Sequence, residues 1–329
     1  MAYMVRGILF FGGFLLLCLQ LACGQQTSVD NIKKEKQPMT KKLDVNSENT
    51  FDKEVHKHGY YLQINNQNCH YEVRVNDEEA YQYRDRYPVM SIRPPLNPFI
   101  QKSGEQSLSI RVFPIKGAFL SKMADLSIGL FYYTDMSDEE NSYGELVHLL
   151  DWELPKIENE ETPMVRLDTV FKATVPYEIK NLDHAVELSK MDKDELLAEV
   201  VAEYKAIFKL MERDYHQYYI ERNKPAFDRS DMWAYTTEES SRKVSENNAT
   251  FFKEDLEEIQ PIENYKLNLY AYGKTVSLRR MIDNGDVICK AQTLTEDHPP
   301  YYKKGEKHYY RDKPIRLYKD KRDNQWHIW

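Results

Sequence analysis

Alternation of hydrophobic and polar residues is the main pattern between residues 59 and 175. Residues 70–75 place their apolar side chains at every second position, and residues 108–112 repeat the pattern. A period of two is typical of a strand with one buried face. Segments rich in Asn, Pro and Gly separate these short runs and favour turns. The pattern predicts an antiparallel β-sandwich over residues 59–175.

The hydrophobic period changes beyond residue 176. From 192 to 222 apolar side chains recur at steps of three and four residues, which predicts one long amphipathic helix. Asp192 and the acids after it favour the start of this helix. A second, more polar helix is predicted over 236–259. The apolar stripe of the long helix is interpreted as core.

The last seventy residues return to short strand-like runs. Residues 265–272 and 275–282 are such runs, and Asn284-Gly285 is a hairpin signal after the second of them. The predicted fold class is therefore α+β. An N-terminal antiparallel β-sandwich is followed by a helix-then-strands α+β domain over residues 176–329.

Two parts of the chain resemble known domains. Asn97-Pro98, Ile100 and Gly104 lead into the strand at 108–112 and look like a segment of the jelly-roll accessory domains found beside glycoside hydrolases. The order of the C-terminal elements, ending in a Trp-x-Ile tail, is similar to the NTF2-like α+β cone. The first resemblance implies a sandwich. The second implies a pocket between helix and sheet, which members of that family use for catalysis or for binding.

The first 22 residues have the features of a secretory signal. Arg6 precedes an apolar run at 7–19 that is shorter than a membrane span. The segment 19–23, Leu-Gln-Leu-Ala-Cys, resembles the lipobox of bacterial lipoproteins. The resemblance implies a lipid on Cys23 and a protein anchored in the cell envelope, in the outer membrane rather than the inner. An ordinary cleaved signal is the alternative.

Residues 23–58 are polar and Lys-rich and show no sustained period, which predicts a disordered tether. The predicted organisation is a signal peptide at 1–22, a lipid-anchored tether at 23–58, the sandwich at 59–175 and the α+β domain at 176–329. Each of the last two has its own apolar set, and we expect each to fold alone.

Composition narrows the classes of function. The chain has 329 residues and a formal net charge of −8, which gives no drive towards nucleic acid. No zinc-protease, nucleophile-elbow, P-loop or dinucleotide motif occurs. Cys69 and Cys289 fall in different predicted domains and are expected to be buried free thiols. The sequence assigns no catalytic residue, no metal ligand and no cofactor.

Aromatic residues with polar tips mark the predicted ligand site. Such residues suit the mouth of a pocket, because the ring packs while the polar atom stays in water. The candidates lie at the end of the long helix and just after it: Tyr215, Tyr218, Tyr219, Asp231, Trp233 and Tyr235. The alternatives are tyrosines that pack with their hydroxyls in bulk water, and a helix start carrying Asp231 and Trp233.

A basic strip lies near the end of the sequence. Residues 303–322 contain nine Lys or Arg residues interleaved with Tyr309, Tyr310 and Tyr318. Such a strip can bind an anionic polymer or an acidic partner. The alternative is the solvent face of two edge strands, where Lys prevents aggregation.

Three classes of function remain open. The preferred hypothesis is a non-catalytic envelope protein that binds a partner protein or a glycan, because no catalytic constellation stands out. The second is an enzyme with a pocket in the C-terminal domain, for which the first candidate residues are Asp231, Tyr215 and His216. The third is a structural component of the envelope or an immunity protein against a toxin.

Overall fold

The computed structural model describes residues 43–84, 89–159, 161–254, 258–259, 261–281, 289–293, 308–312 and 314–329. The predicted signal peptide, Cys23 and the hairpin signal Asn284-Gly285 lie outside the described residues.

Two four-stranded antiparallel sheets make up the N-terminal half. The strands are β1 (Thr50–Phe51), β2 (Gly59–Gln67), β3 (His70–Val75), β4 (Glu78–Tyr83), β5 (Val89–Ile92), β6 (Gly104–Phe113), β7 (Asp125–Tyr133), β8 (Leu146–Glu153), β9 (Val165–Ala173) and β10 (Tyr177–Glu178). One sheet has the order β5-β2-β7-β8 and the other has the order β4-β3-β6-β9. A small separate sheet joins β1 to β10.

The period of two produces the core of this sandwich. In β6 the side chains of Leu108, Ile110 and Val112 are buried, and the residues between them are partly exposed. They pack in one cluster with Leu62 and Ile64 of the other sheet. Two sheets whose apolar faces meet in this way form a sandwich. The predicted antiparallel β-sandwich is confirmed.

The helical part consists of α1 (Lys193–Arg213), α2 (Tyr215–Gln217), a π-helical turn (Tyr218–Arg222), α3 (Lys224–Ala234) and α4 (Glu238–Glu254). Asp192 caps α1 by accepting hydrogen bonds from the backbone N–H groups of Asp194 and Glu195 at 3.0 Å. Asp214 ends α1, because its backbone is extended and its side chain caps the next turn at Gln217 N. The predicted single helix over 192–222 is therefore wrong in this respect: three segments take its place.

Two further antiparallel sheets close the C-terminal half. Their strands are β11 (Glu258–Ile259), β12 (Tyr265–Tyr270), β13 (Thr275–Arg280), β14 (Cys289–Thr293), β15 (His308–Asp312), β16 (Leu317–Lys319) and β17 (Trp326–Ile328). The sheet orders are β12-β13-β16-β17 and β11-β14-β15. Helix α1 packs its stripe on the first sheet, where Val200 and Tyr204 share a buried cluster with Leu278 and Leu317. The α+β fold class is confirmed.

Part of the segment predicted as a tether is folded. Strand β1 pairs with β10, and the buried side-chain amide of Asn181 donates to Val45 O at 2.8 Å and to Asn46 Oδ1 at 2.9 Å. The Asn181 side-chain oxygen accepts from Asn49 Nδ2 at 3.0 Å. Long-range hydrogen bonds between polar side chains hold this segment. Such contacts produce no hydrophobic period, so the sequence pattern did not predict them. The prediction of a disordered tether is therefore wrong for residues 43–58, which are docked on the fold.

Both halves contribute to one compact unit, which extends from Leu43 to Trp329. Trp233 and Tyr235 at the end of α3 pack against the sandwich cluster, and so does Trp329. The expectation that the two halves fold separately about a boundary near residue 175 stays a prediction.

Candidate functional site

A cavity of about 610 Å³ lies where the two halves meet. We call it the junction cleft. Strand β4 and the short 3₁₀ turn Asn97–Phe99 contribute one wall, and α3, Arg279, the 314–316 segment and Trp329 contribute the other. Its volume is within the range of small-molecule sites, which are concave and mostly apolar with a few placed polar groups.

A β-bulge brings two neighbouring carboxylates to the wall. The register between β3 and β4 shifts between Val73 and Arg74, so that Arg74 pairs with Glu79 and Val75 pairs with Glu78. Bulges redirect side chains in this way and are frequent beside functional sites. Glu78 and Glu79 both line the cleft, with exposed fractions of 2% and 8%.

Each of these carboxylates has a guanidinium partner from the other half of the chain. Arg316 Nη1 contacts Glu78 Oε2, and Thr275 Oγ1 donates to Glu78 Oε1 at 3.1 Å. Arg279 Nη2 lies 2.7 Å from Glu79 Oε1. Burial raises the pKa of Glu79, whereas the charge of Arg279 opposes the rise. Two ion pairs therefore cross the junction.

A further layer of charge supports the β3–β4 hairpin behind the cleft. Glu72 Oε1 accepts from Arg74 Nε at 2.6 Å, and Arg74 Nη1 donates to Asp77 Oδ1 at 3.1 Å. The backbone N–H of Tyr272 donates to Asp77 Oδ2 at 2.9 Å. The guanidinium of Arg74 also lies over the ring of Tyr270, 5.4 Å from its centroid. The hairpin is thus fixed against the C-terminal sheet by charge as well as by packing.

Aromatic side chains line the rest of the cleft. Trp233 and Phe227 project from α3, and Tyr81 and Phe99 face from the sandwich with their ring centroids 6.0 Å apart in an edge-to-face pair. The Tyr81 hydroxyl donates to Pro95 O at 2.8 Å, which fixes its ring. Trp329 completes this wall. The cleft therefore combines aromatic surfaces with charged groups that are already held in place.

The structure separates the predicted ligand residues. Tyr215 and Tyr218 are buried in the C-terminal cluster, with ring centroids 5.6 Å apart. Tyr219 lies 6.0 Å from Tyr215 and 5.2 Å from Phe227, so the three tyrosines pack behind a residue that lines the cleft. They do not themselves line it.

Of the other three candidates, Trp233 lines the junction cleft. Asp231 lies in the last turn of α3, where its backbone carbonyl accepts from Thr236 N at 3.0 Å. The alternative that Asp231 and Trp233 mark a helix start is therefore wrong, because α3 begins at Lys224. A binding role for the six residues stays a prediction, and the structure brings only Trp233 of the six to this cleft.

Tyr235 joins α3 to the sandwich. It ends the helix in the left-handed conformation, with φ of 58°. Its hydroxyl donates to His58 O at 2.7 Å and accepts from Asn97 Nδ2 at 3.1 Å. Asn97, which belongs to the jelly-roll-like segment, also donates to His58 O at 2.9 Å and accepts from Tyr60 N at 2.7 Å. Asn97 and Tyr235 thus hold the end of α3 against the sandwich.

The pH dependence of stability is expected to involve His58. Burial lowers the pKa of His58 below 6.5, and the nearby His56 lowers it further. Since the unfolded chain binds the proton more readily, the contribution of His58 to stability is present above pH 6.5 and is lost as pH falls. Urea unfolding at about pH 7.5 and about pH 5 should show a smaller loss for His58→Gln than for the wild type. An equal loss in both proteins would contradict this role.

A second cavity of about 300 Å³ is more polar. It is lined by side chains of Asn76, Gln101, Glu105, Asp183 and Lys274, among others, and by the exposed Tyr272. It lacks the facing aromatic walls of the junction cleft. Its lining residues therefore offer control positions for tests of the junction cleft.

The basic strip is largely neutralised where its side chains are described. Arg316 pairs with Glu78, Lys319 with Glu199 at 2.7 Å, and Arg322 with Asp320 at 2.6 Å. Residues 303–307 and 313 lie outside the described part of the chain. Arg316, Lys319 and Arg322 thus act within the fold, whereas Lys321 is exposed, and the strip as a polymer-binding surface stays a prediction.

Sequence reasoning did not single out the charged residues of the cleft. Glu78 and Glu79 are consecutive acids inside a strand, between turn residues and Ala80-Tyr81. Two acids in a strand that is otherwise partly buried are a signal of buried ion pairs, because charged residues are rarely buried without a partner. Their partners could not be identified in that way, since Arg279 and Arg316 are 200 and 238 positions away.

Comparison of the chain with protein-family models, with curated proteins and with solved structures finds no match. Within the described residues no helix combines the length and the hydropathy needed to cross a membrane. The same part of the chain has no group of three or more His, Cys, Asp or Glu side chains placed to hold a metal ion.

Cys69 is free and buried in the sandwich core. Its thiol lies 2.8 Å from Asn66 Oδ1, and burial raises its pKa to about 12. A thiol with so high a pKa is not a nucleophile at neutral pH. The side chain of Cys289 is not among those described.

Proposed function

We propose that the protein is a non-catalytic glycan-binding protein of the cell envelope and that the junction cleft is its binding site. The observation that carries the proposal is the pairing of aromatic walls with fixed polar groups in one cavity. A sugar ring has apolar C–H faces and a polar rim. The faces match the rings of Trp233 and Phe99, and the rim matches groups such as Ser230 and Gln101.

The state of the two carboxylates favours binding over catalysis. A general acid must carry a proton, and a general base must reach its substrate. Glu78 and Glu79 each already contact a guanidinium, which stabilises the charged carboxylate and occupies it. Such ion pairs hold the walls in place for a ligand.

A second candidate function is hydrolysis of a glycosidic bond by the same pair. Burial raises the pKa of Glu79, and a carboxyl group with a raised pKa next to a second carboxylate is the pattern of glycosidase acids. Prolonged incubation of the protein with oligosaccharides, followed by chromatography of the products, tests it. Product formation that Glu79→Gln abolishes would establish hydrolysis in place of simple binding.

The glycan proposal predicts that Trp233→Ala weakens binding about tenfold, since an aromatic anchor in a buried pocket contributes at least about 1.4 kcal/mol. Calorimetric titration of a panel of oligosaccharides checks this. The melting temperature should fall as well, because Trp233 also packs against the sandwich cluster, so the titration is carried out well below the melting temperature of the variant.

Tyr272→Ala is the matched control, because it removes an aromatic side chain that lines the smaller cavity. It should leave the affinity unchanged. If Tyr272→Ala weakens binding and Trp233→Ala does not, the site lies in the other cavity.

The envelope location rests on the lipobox-like segment and predicts that Cys23→Ala releases the protein from membranes into a soluble fraction. The reason is that the acyl chains on Cys23 would be the anchor. Fractionation of cells expressing each protein, with mass determination of the mature N-terminal peptide, is the measurement. A Cys23→Ala protein that still sediments with membranes would contradict lipid anchoring.

A further inference from the structure

We infer that the glycan taken by the junction cleft is acidic and that its carboxylate binds at Arg229. This inference rests on the proposed function and specifies the chemical class of the ligand. It concerns a buried guanidinium in the cleft wall that the ion pairs described above do not use.

Arg229 is held rigidly at the centre of α3. Only 5% of its surface is exposed. Its Nη1 donates to Pro225 O at 2.9 Å and its Nη2 donates to Ile328 O at 3.1 Å. The guanidinium lies over the ring of Trp329, 4.3 Å from the centroid. A guanidinium has five N–H groups, so these two bonds leave donors for a ligand.

Arg229 makes no ion pair in contact with a carboxylate among the described residues, although the charge of the neighbouring Asp228 acts on it. The hydrogen bonds of Arg229 go to two neutral carbonyl oxygens. The nearest acid along the helix, Asp228, binds Lys224 Nζ at 2.5 Å and Asn46 Nδ2 at 3.4 Å. Burial lowers the pKa of Arg229 to about 10, which leaves the guanidinium charged at neutral pH.

The balance of charge around the cleft indicates the sign of the charge on the ligand. Its lining contains three guanidinium groups, of Arg229, Arg279 and Arg316, and two carboxylates, of Glu78 and Glu79. The carboxylates are paired with Arg316 and Arg279, so one positive charge remains. A buried charge without a carboxylate in contact is costly, and an anionic ligand group that contacts Arg229 lowers that cost.

A carboxylate fits this position better than other anions because the neighbouring surface is aromatic. A planar carboxylate matches the fork of a guanidinium in a charge-assisted pair. The ring that carries it can then lie on Trp233, which is one helical turn along α3 from Arg229. A uronic acid within an oligosaccharide combines both parts.

The test uses matched pairs of oligosaccharides, each a uronic acid oligomer and its methyl ester, which removes the charge and keeps the ring. Calorimetric titration of the whole protein should show at least about tenfold tighter binding of the acid. In Arg229→Gln the acid and the ester should bind equally. Arg229→Lys, which keeps the charge, should retain part of the preference even if Arg229→Gln folds poorly. Lys209→Gln removes an exposed charge from α1, no residue of which lines the cleft, and should retain the full preference.

The outcomes separate the two proposals. Equal binding of acid and ester by the wild type would overturn the acidic ligand and leave the glycan-binding function intact. A preference for the acid that persists in Arg229→Gln would overturn the assignment to Arg229. Absence of binding to every member of the panel would overturn the glycan-binding function itself.

Discussion

Replacement of Arg316 by methionine is expected to lower the free energy of unfolding by about 3–5 kcal/mol, the largest effect of any substitution considered. Arg316 contacts Glu78, whose exposed fraction is 2%, and lies over the ring of Tyr270 at 4.2 Å from the centroid. Methionine has a similar volume but leaves the carboxylate of Glu78 buried without its cation. The remaining bond from Thr275 is too weak to offset that loss.

Urea unfolding of Arg316→Met, Glu78→Gln and the double variant measures this coupling. The double variant should lose less stability than the sum of the two single variants, because the second substitution removes a group that the first has already left unpaired. Arg166→Met is the matched control, since Arg166 pairs with Asp168 on the surface and such pairs contribute little. A loss below about 1 kcal/mol for Arg316→Met would mean that the pair is hydrated and does not hold the junction.

Asn181→Ala is expected to cost about 2–3 kcal/mol, the second largest effect. The Asn181 side chain is 1% exposed and ties the 43–58 segment to the C-terminal half. Its loss removes one of two donors to the Val45 carbonyl, which keeps Arg322 Nη2 at 3.4 Å, and one of two acceptors of the Asn49 amide, which keeps Asn46 Oδ1 at 3.3 Å. The hydroxyl of Tyr318 also loses a donor at 3.3 Å. The loss of several hydrogen bonds made by one buried side chain accounts for the cost.

Thermal and urea unfolding of Asn181→Ala provide the measurement, with Asn141→Ala as control. Asn141 is exposed and donates only to Asp138 in a surface turn. Its replacement should change stability by less than about 0.5 kcal/mol. Equal, small effects of both substitutions would show that residues 43–58 do not stabilise the fold, as expected of a tether.

Local patterns were sufficient to predict the architecture. A period of two in β3 and β6 and a period of 3.6 in α1 each follow from one buried face, which short-range sequence records directly. The end of α1 was missed because the apolar steps continue through Tyr215 and Tyr218. Only the extended backbone at Asp214, which a cap on the following turn favours, interrupts the helix there.

The candidate site could not be predicted from local sequence patterns. The residues that form it come from β4, α3 and the C-terminal strands, and they meet only through the tertiary fold. The sequence indicated aromatic residues near the end of the helical region, and Trp233 does line the cleft. Tyr215 and Tyr218 are also aromatic residues with polar tips, but they face the core. The sequence could not separate the two cases, because steps of three and four residues also describe the buried stripe of a helix.

Hydrogen exchange with and without bound glycan tests the central claim most directly, because it locates the site without any substitution. With the oligosaccharide that binds best, at saturation, the peptides covering residues 78–82 and 226–233 should exchange more slowly, since both walls of the junction cleft are held by the ligand. The peptide covering 271–274, at the smaller cavity, should be unchanged. Protection confined to 271–274, or none at either cleft wall under saturating ligand, would contradict the junction cleft as the binding site.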